Sequence, residues 1–397
     1  MYGVIQSRAA RIGLGFIVGL PLVTLFGWWT ISRPATPVAL KSSPLPSFTP
    51  TPQAEMVTSK LLVMGDVFWG RYVHDWSMAS PLKYGYPFAG LASFDRPAYD
   101  AWIANMECPV TTNPLASSAA QEATLTFNCS PNYLPEAAKW FSAMSLANNH
   151  TDNQRAAGWR QTADLLGSAG IQTFGHYDPE VASDRCNILS LPAQITFIDG
   201  ASKTVKLPTA WCGYNAVFKI PSASAITDIG RYAERFVTIA MPHAGTEYRD
   251  APDQLKTTFY RGLIDAGADA VIGGHPHWVQ TSEAYQGKLI LYSLGNFLFD
   301  QQANREVTRG VALQVTLALD ATAVPDLDKW LALAESCETY TDNCLTQAAS
   351  QNLTKLPFKI SYGILSSDDS GRQVRAGDAA LTAAVRTGSA GQIRSPN

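Results

Sequence analysis

Charge is scarce in this 397-residue chain: Asp, Glu, Lys and Arg make up 16% of it, against about 25% in an ordinary soluble protein. Neither sign prevails. With 30 Lys plus Arg against 33 Asp plus Glu and a formal net charge of −3, there is no basic surplus of the kind that binds nucleic acid, so a nucleic-acid partner is excluded. The six cysteines form no C-x-x-C pair, which argues against a zinc ribbon or a thioredoxin-type redox motif. The 29 Gly and 24 Pro are too few and too scattered for a collagen-like or low-complexity scaffold. No internal repeat is evident, and an apolar share of 46% is too high for a disordered chain. What is left is a folded chain of about two to three domains, or one large domain with appendages.

Part of the missing charge is explained near the N-terminus, where residues 12–31 carry no ionisable side chain. At about 1.5 Å per residue such a run crosses a bilayer core as a helix. Arg8 and Arg11 precede it, which places residues 1–11 in the cytoplasm and the rest outside, with Trp28 and Trp29 at the interface. A cleaved signal peptide is the competing reading. It would usually have a shorter apolar region and a small-residue cleavage site, which is absent here, so a single-pass membrane anchor is expected. Residues 32–58 turn to Ser, Thr and Pro and read as a tether. Residues 59–365 form the expected body and residues 366–397 a loose tail.

An extracytoplasmic body suits disulfides. Short separations favour Cys108 with Cys129, Cys186 with Cys212 and Cys337 with Cys344, the alternative being buried free thiols. A bond from Cys108 would pin the loop that carries Glu107.

Within the body, apolar runs at 61–64, 144–147, 236–241 and 270–272 read as buried strands, each running into polar residues. Residues 155–169 and 252–266 read as helices, the second with Pro252 near its first turn and Gly267 after its end. Strand and helix in alternation predict an α/β fold whose site collects beyond the carboxyl ends of the strands.

Histidine is scarce too, with six in the chain, yet His150, His243, His275 and His277 all follow predicted strands. Asp66, Glu107 and Asn149 occupy comparable places. A nitrogen and oxygen set without thiolate suits two divalent ions of Mn, Fe or Zn rather than Ca or a closed structural zinc site. A lone histidine after a strand is ordinary. The pair His275 and His277 around Pro276, whose ring fixes φ, is less so.

These residues sit in six motifs that follow one another along the chain: GDVFWGR at 65–71, NMECPVT at 105–111, SLANNHTDN at 145–153, HAGTEY at 243–248, GGHPHWVQ at 273–280 and YSLGNFLFD at 292–300. Together they resemble the CapA or PgsA family of poly-γ-glutamate capsule biosynthesis proteins, within the calcineurin-like metallophosphoesterase superfamily. The resemblance implies a four-layer α/β/β/α sandwich with a dinuclear metal site at one edge of paired sheets. It implies Asp66, Glu107, Asn149, His243, His275 and His277 as ligands, with Glu107 bridging. It further implies His150 as the catalytic proton donor. Arg71 is read either as a grip on an anionic substrate or as a surface ion pair. Asp152, Glu247 and Asn296 are read as groups that orient ligands.

Three departures stand out. Phe68 occupies a position usually held by a histidine ligand, so one metal position is expected to bind weakly. Ala244 stands where the family commonly has Trp. The acid expected three residues after His150 is replaced by Asn153, with Asp152 one place early. Two functions follow. One is a membrane-anchored extracytoplasmic metal-dependent hydrolase acting on an anionic polymer or phosphoester. The other is a non-catalytic anchored subunit of a capsule polymer synthesis or export complex.

Overall fold

The computed structural model describes residues 53–337, 341–380 and 382. The expected anchor at 12–31 lies outside them; among the described residues no helix is long and apolar enough to cross a membrane. In chain order the strands are β1 (Ala54–Val67), β2 (Ala101–Met106), β3 (Ala143–Ser145), β4 (Gln172–Phe174), β5 (Cys186–Phe197), β6 (Ser202–Ala216), β7 (Thr238–Ala244), β8 (Ala270–Ile272), β9 (Ser282–Tyr285), β10 (Lys288–Leu291), β11 (Asn296–Leu298), β12 (Arg309–Asp320), β13 (Lys359–Asp368) and β14 (Arg375–Ala376).

All belong to one mixed sheet that branches at β1, and helices pack against it, so the chain is α/β. One side of β1 runs antiparallel to β12 from Met56 to Met64. Its other side pairs first with β5, antiparallel at 54–58, and then with β2, parallel from Leu61 to Val67. Beyond β2 lie β3 and β4; beyond β5 lie β6, β7, β8, β10 and β9. The period-two alternation of strand side chains explains why such a strand can serve two cores. Leu61 and Val63 of β1 join Ile103, Ala143 and Val311 in one apolar cluster, while Leu62 and Met64 join Trp102, Met144 and Ala312 in another. Burial on both faces accounts for the nearly unbroken apolar run at the end of β1.

The boundaries differ from the sequence reading where pairing, rather than composition, decides them. β1 begins at Ala54, inside the expected tether, because Met56, Val57 and Thr58 find partners on both β5 and β12. β13 extends to Asp368 and β14 follows at 375–376, inside the expected tail, since Ser367 and Asp368 pair with Ala376 and Arg375. The strand expected at 144–147 is β3, and that at 236–241 is β7. The helix expected from residue 252 is Gln254–Asp265, and its cap is Asp253, whose carboxylate accepts from Lys256 N at 2.8 Å. Pro252 precedes that cap.

All three short-range disulfides form. Cα separations are 6.0 Å for Cys108–Cys129, 4.0 Å for Cys186–Cys212 and 4.9 Å for Cys337–Cys344.

Candidate metal centre

Asp66 sits near the end of β1, Glu107 directly after β2, Asn149 and His150 in the turn after β3, His243 in β7, and His275 and His277 after β8. The backbone is shaped to let them meet. Gly65 lies so close to the turn before β11 that a Cβ there would collide with Gly295 O. His275 and His277 both adopt positive φ, 91° and 60°, a region sparsely used by residues with a side chain and concentrated at functional sites.

Glu107 belongs to both groups of possible ligands in the described residues. Glu107, His243 and His275 form one, and Asp66, Glu107 and His277 the other, with the ligand atoms of each within 4.8 Å of one another. His243 Nε2 is 3.4 Å from Glu107 Oε1 and 3.0 Å from Asn149 Oδ1. His277 Nδ1 is 3.8 Å from Asp66 Oδ2. The six side chains expected as ligands thus lie in one cluster.

Asn105, which the sequence reading passed over, fixes Asp66. Its Nδ2 donates to Asp66 Oδ1 at 2.8 Å, while its Oδ1 accepts from Asn148 Nδ2 at 3.0 Å. The other oxygen, Asp66 Oδ2, is buried without a hydrogen-bond partner, as are both oxygens of Glu107 and Nδ1 of His275. Unpartnered buried carboxylate oxygens are costly by several kcal/mol unless a cation or a proton meets them. Burial, reinforced by Glu107, pushes Asp66 up to about 7, and burial, reinforced by Glu247, pushes Glu107 well above its usual range. Burial likewise pulls His243 down to about 4, His277 to about 3 and His275 well below its usual value. Neutral imidazoles around carboxylates without partners are the donor set of a divalent ion, so the residues present fit the metal.

Asn296 orients His277. Its Nδ2 donates to Gln301 Oε1 and to Val307 O, so its Oδ1 is the acceptor 2.8 Å from His277 Nδ1. The hydrogen therefore sits on Nδ1, and Nε2 keeps its lone pair, a tautomer fixed from behind as ligating histidines require. Glu247 lies on the other side of this ring, 3.9 Å from Nε2 and half-exposed.

Two readings need correction. The ion pair that Arg71 makes is not a surface pair. Arg71 is buried, its guanidinium bonded through Nε and Nη2 to both oxygens of Asp300 at 2.9 and 2.6 Å, and stacked 4.4 Å from the Phe127 ring centre and 5.0 Å from that of Phe68. The hydrogen bond to the His150 ring comes from Asn153 rather than Asp152, its Oδ1 accepting from Nδ1 at 3.1 Å. His150 also packs on Phe127, ring centres 4.2 Å apart, and burial pulls it down to about 4. Phe68, in the place of a ligand, is fully buried against Phe299 and Phe127. Neither Asp300 nor Phe127 carries a local signal that points to these contacts.

The "Capsule biosynthesis protein CapA" of Bacillus anthracis is 29% identical over 196 residues, 47% of each chain. The "PGA biosynthesis protein CapA" of Bacillus subtilis (strain 168) is 26% identical over 275 residues, 66% of this chain and 69% of that one. The chain thus spans about half the length of the first relative and rather more of the second. Among solved structures, a "novel phosphatase" of Mycoplasma pneumoniae aligns over 67% of this chain and 89% of its own, at 15% identity and a TM-score of 0.38. The profile of one family matches residues 60–301, a stretch that runs from β1 past Asp300 and takes in each side chain described above. By that match the chain belongs to the bacterial capsule synthesis protein family PGA_cap.

Proposed function

We propose that this chain is a membrane-anchored, extracytoplasmic protein of capsule biosynthesis. Its strand ends hold two divalent ions, Mn, Fe or Zn, and support hydrolysis of a phosphoester or of an anionic polymer such as poly-γ-glutamate. The two apolar clusters on either face of the β1 branch support the four-layer α/β/β/α reading of the fold. The observation that carries the metal reading is the set of buried carboxylate oxygens without partners on Asp66 and Glu107, with Glu107 shared between two ligand groups.

Asp66, Glu107 and His277 would hold one ion, and Glu107, Asn149, His243 and His275 the other. Such ions supply Lewis-acid polarisation of a substrate oxygen and acidify a water. The protein's own part is to hold the ligands in register and to keep His150 poised. Its Nδ1 is bonded to Asn153, which leaves Nε2 as the position for a proton on its way to a leaving oxygen. Arg71, neutralised by Asp300, buttresses the ring beneath His150 rather than binding substrate.

A second reading, an anchored non-catalytic subunit of a polymer synthesis or export complex, is favoured by two features: His150 lacks a carboxylate partner and Phe68 replaces a ligand. Purified full-length chain in detergent separates the two. Elemental analysis should find close to two ions, and Glu107→Gln should lose both. Turnover of a chromogenic phosphodiester that disappears in His150→Ala while metal is retained supports the enzyme; bound metal without turnover supports the subunit. Absence of restorable metal overturns both forms of the metal reading.

A further inference from the structure

His277 is enclosed by a closed circuit of contacts. Its Nδ1 donates to Asn296 Oδ1 at 2.8 Å; Asn296 Nδ2 donates to Gln301 Oε1 at 3.1 Å; Gln301 Nε2 donates to the Tyr248 hydroxyl at 3.0 Å. The Tyr248 ring then returns to His277, stacked on it with centres 5.7 Å apart and planes 28° from parallel. The backbone closes the same gap, since Tyr248 N donates to Pro276 O at 2.9 Å and Tyr248 adopts a φ of 56° to do so.

Tyr248 is also an outer wall. It is 44% exposed and lines a cavity of about 480 Å³ together with Tyr72, Glu122, Leu125, Gln301 and the Arg71–Asp300 pair. Neither Tyr248 nor Gln301 belongs to a ligand group, and no step above uses them. Gln301 is only partly buried, but its amide spends both of its functions on linking an exposed phenol to Asn296, the partner of His277, and so is placed to transmit position.

We infer that Gln301 is a positioning residue that couples Tyr248, and through it the neighbouring cavity, to the orientation of His277. The inference rests on reading His277 as an ion ligand only for its metal readout; the circuit itself exists without an ion.

The test uses the full chain labelled with ¹⁵N histidine, stripped of metal, and Gln301→Leu, Tyr248→Phe, their double variant and Gln301→Glu. Tyr248→Phe alters only an exposed hydroxyl and so keeps the fold. Solvent exchange of the His277 Nδ1 proton should quicken about tenfold in Gln301→Leu, the effect of one lost hydrogen bond. Calorimetric titration with Mn²⁺ should show affinity weakened by about tenfold, the lower end of what outer partners of ligating histidines supply. Tyr248→Phe should do the same, and the double variant should add nothing further, because both changes break one circuit. Gln301→Glu should restore the wild-type pattern, since a carboxylate accepts from both Asn296 and the tyrosine hydroxyl. Unchanged exchange in Gln301→Leu, or effects that multiply in the double variant, overturn the link. If wild type binds no Mn²⁺ while proton exchange follows the expected pattern, the metal reading falls and the link stands.

Discussion

One oxygen of Asn153 accepts both Nδ1–H of His150, at 3.1 Å, and the backbone N–H of Phe127, at 2.9 Å. A single neutral amide thus holds the imidazole and the aromatic residue packed against it. An amide orients a ring as well as a carboxylate does, but its hydrogen bond favours the imidazolium less than a carboxylate's charge would. Burial therefore dominates, and His150 is pulled down to about 4.

Asn153→Asp should reverse this. A carboxylate at that distance favours the charged ring and raises its pKa by about one to two units. A proton donor works while protonated, so its contribution is present below its pKa and lost as pH rises through it. Raising the pKa moves the basic limb of the pH–rate profile upward. An NMR titration of the His150 ring gives the same shift without reliance on turnover. A ring that titrates unchanged means Asn153 does not govern it; a shifted ring with an unmoved limb means the proton comes from elsewhere.

Metal affinity should climb with pH through neutrality. Asp66 stands at about 7 and Glu107 well above its usual range in the metal-free protein, both raised first by burial, so each must lose a proton before it can ligate. His243 and His277, at about 4 and 3, are already neutral and set no limit there. Binding should therefore release protons, and Mn²⁺ affinity measured at pH 6 and pH 8 should differ by about tenfold or more. Affinity flat across this interval would show that the two carboxylates are ionised before the ion arrives.

The features legible in the sequence were those with a local cause. The strand at 270–272 and its His275-Pro276-His277 turn announce themselves through an apolar run ending in glycines, and the structure has β8 at those residues. Polar residues after four such runs supply Asp66, Asn149, His243, His275 and His277; Glu107 follows none of them and enters through its motif. Features made by distant partners were illegible. Arg71 and Asp300 are 229 positions apart, so nothing near either shows that the guanidinium is already engaged. Gln301 follows a motif but serves Tyr248, 53 positions away. The early start of β1 had the same origin: Met56 to Thr58 look like tether until β5 and β12 supply partners.

Phe68→His tests the missing ligand. The ring is fully buried, stacked on Phe299 with centres 4.9 Å apart, and the Phe299 ring lies 5.2 Å from that of His277. An imidazole there adds a nitrogen beside the Asp66, Glu107 and His277 group. We expect the weaker of the two Mn²⁺ affinities to tighten, and stability without metal to fall by about 2–3 kcal/mol, since a polar ring replaces an apolar one in an aromatic cluster. Wild type should bind its two ions unequally and the variant more evenly. Equal affinities in wild type would remove Phe68 from any role in the asymmetry.

The Cys108–Cys129 bridge separates stability from site geometry. It begins one residue after Glu107 and closes a separation of 21 residues, which corresponds to roughly 3 kcal/mol of stabilisation in the chain-entropy account. The sequence predicts that this bond pins the Glu107 loop. The structure supplies other anchors: Glu107 N donates to Val67 O at 3.0 Å, Val110 N to the Thr162 hydroxyl at 2.8 Å, Thr111 N to Cys129 O at 3.2 Å and Cys129 N to Pro109 O at 2.8 Å. With the loop held on both sides by hydrogen bonds, the bridge acts mainly on the unfolded chain. Replacing both cysteines by alanine should therefore lower the stability measured by urea unfolding by about 3 kcal/mol, while Mn²⁺ affinity of the folded protein stays within about threefold, short of the loss expected when a ligand's support is removed. A large loss of affinity in a variant still folded would return the bridge to the role the sequence suggested. Full affinity with full stability would show that the bond contributes to neither.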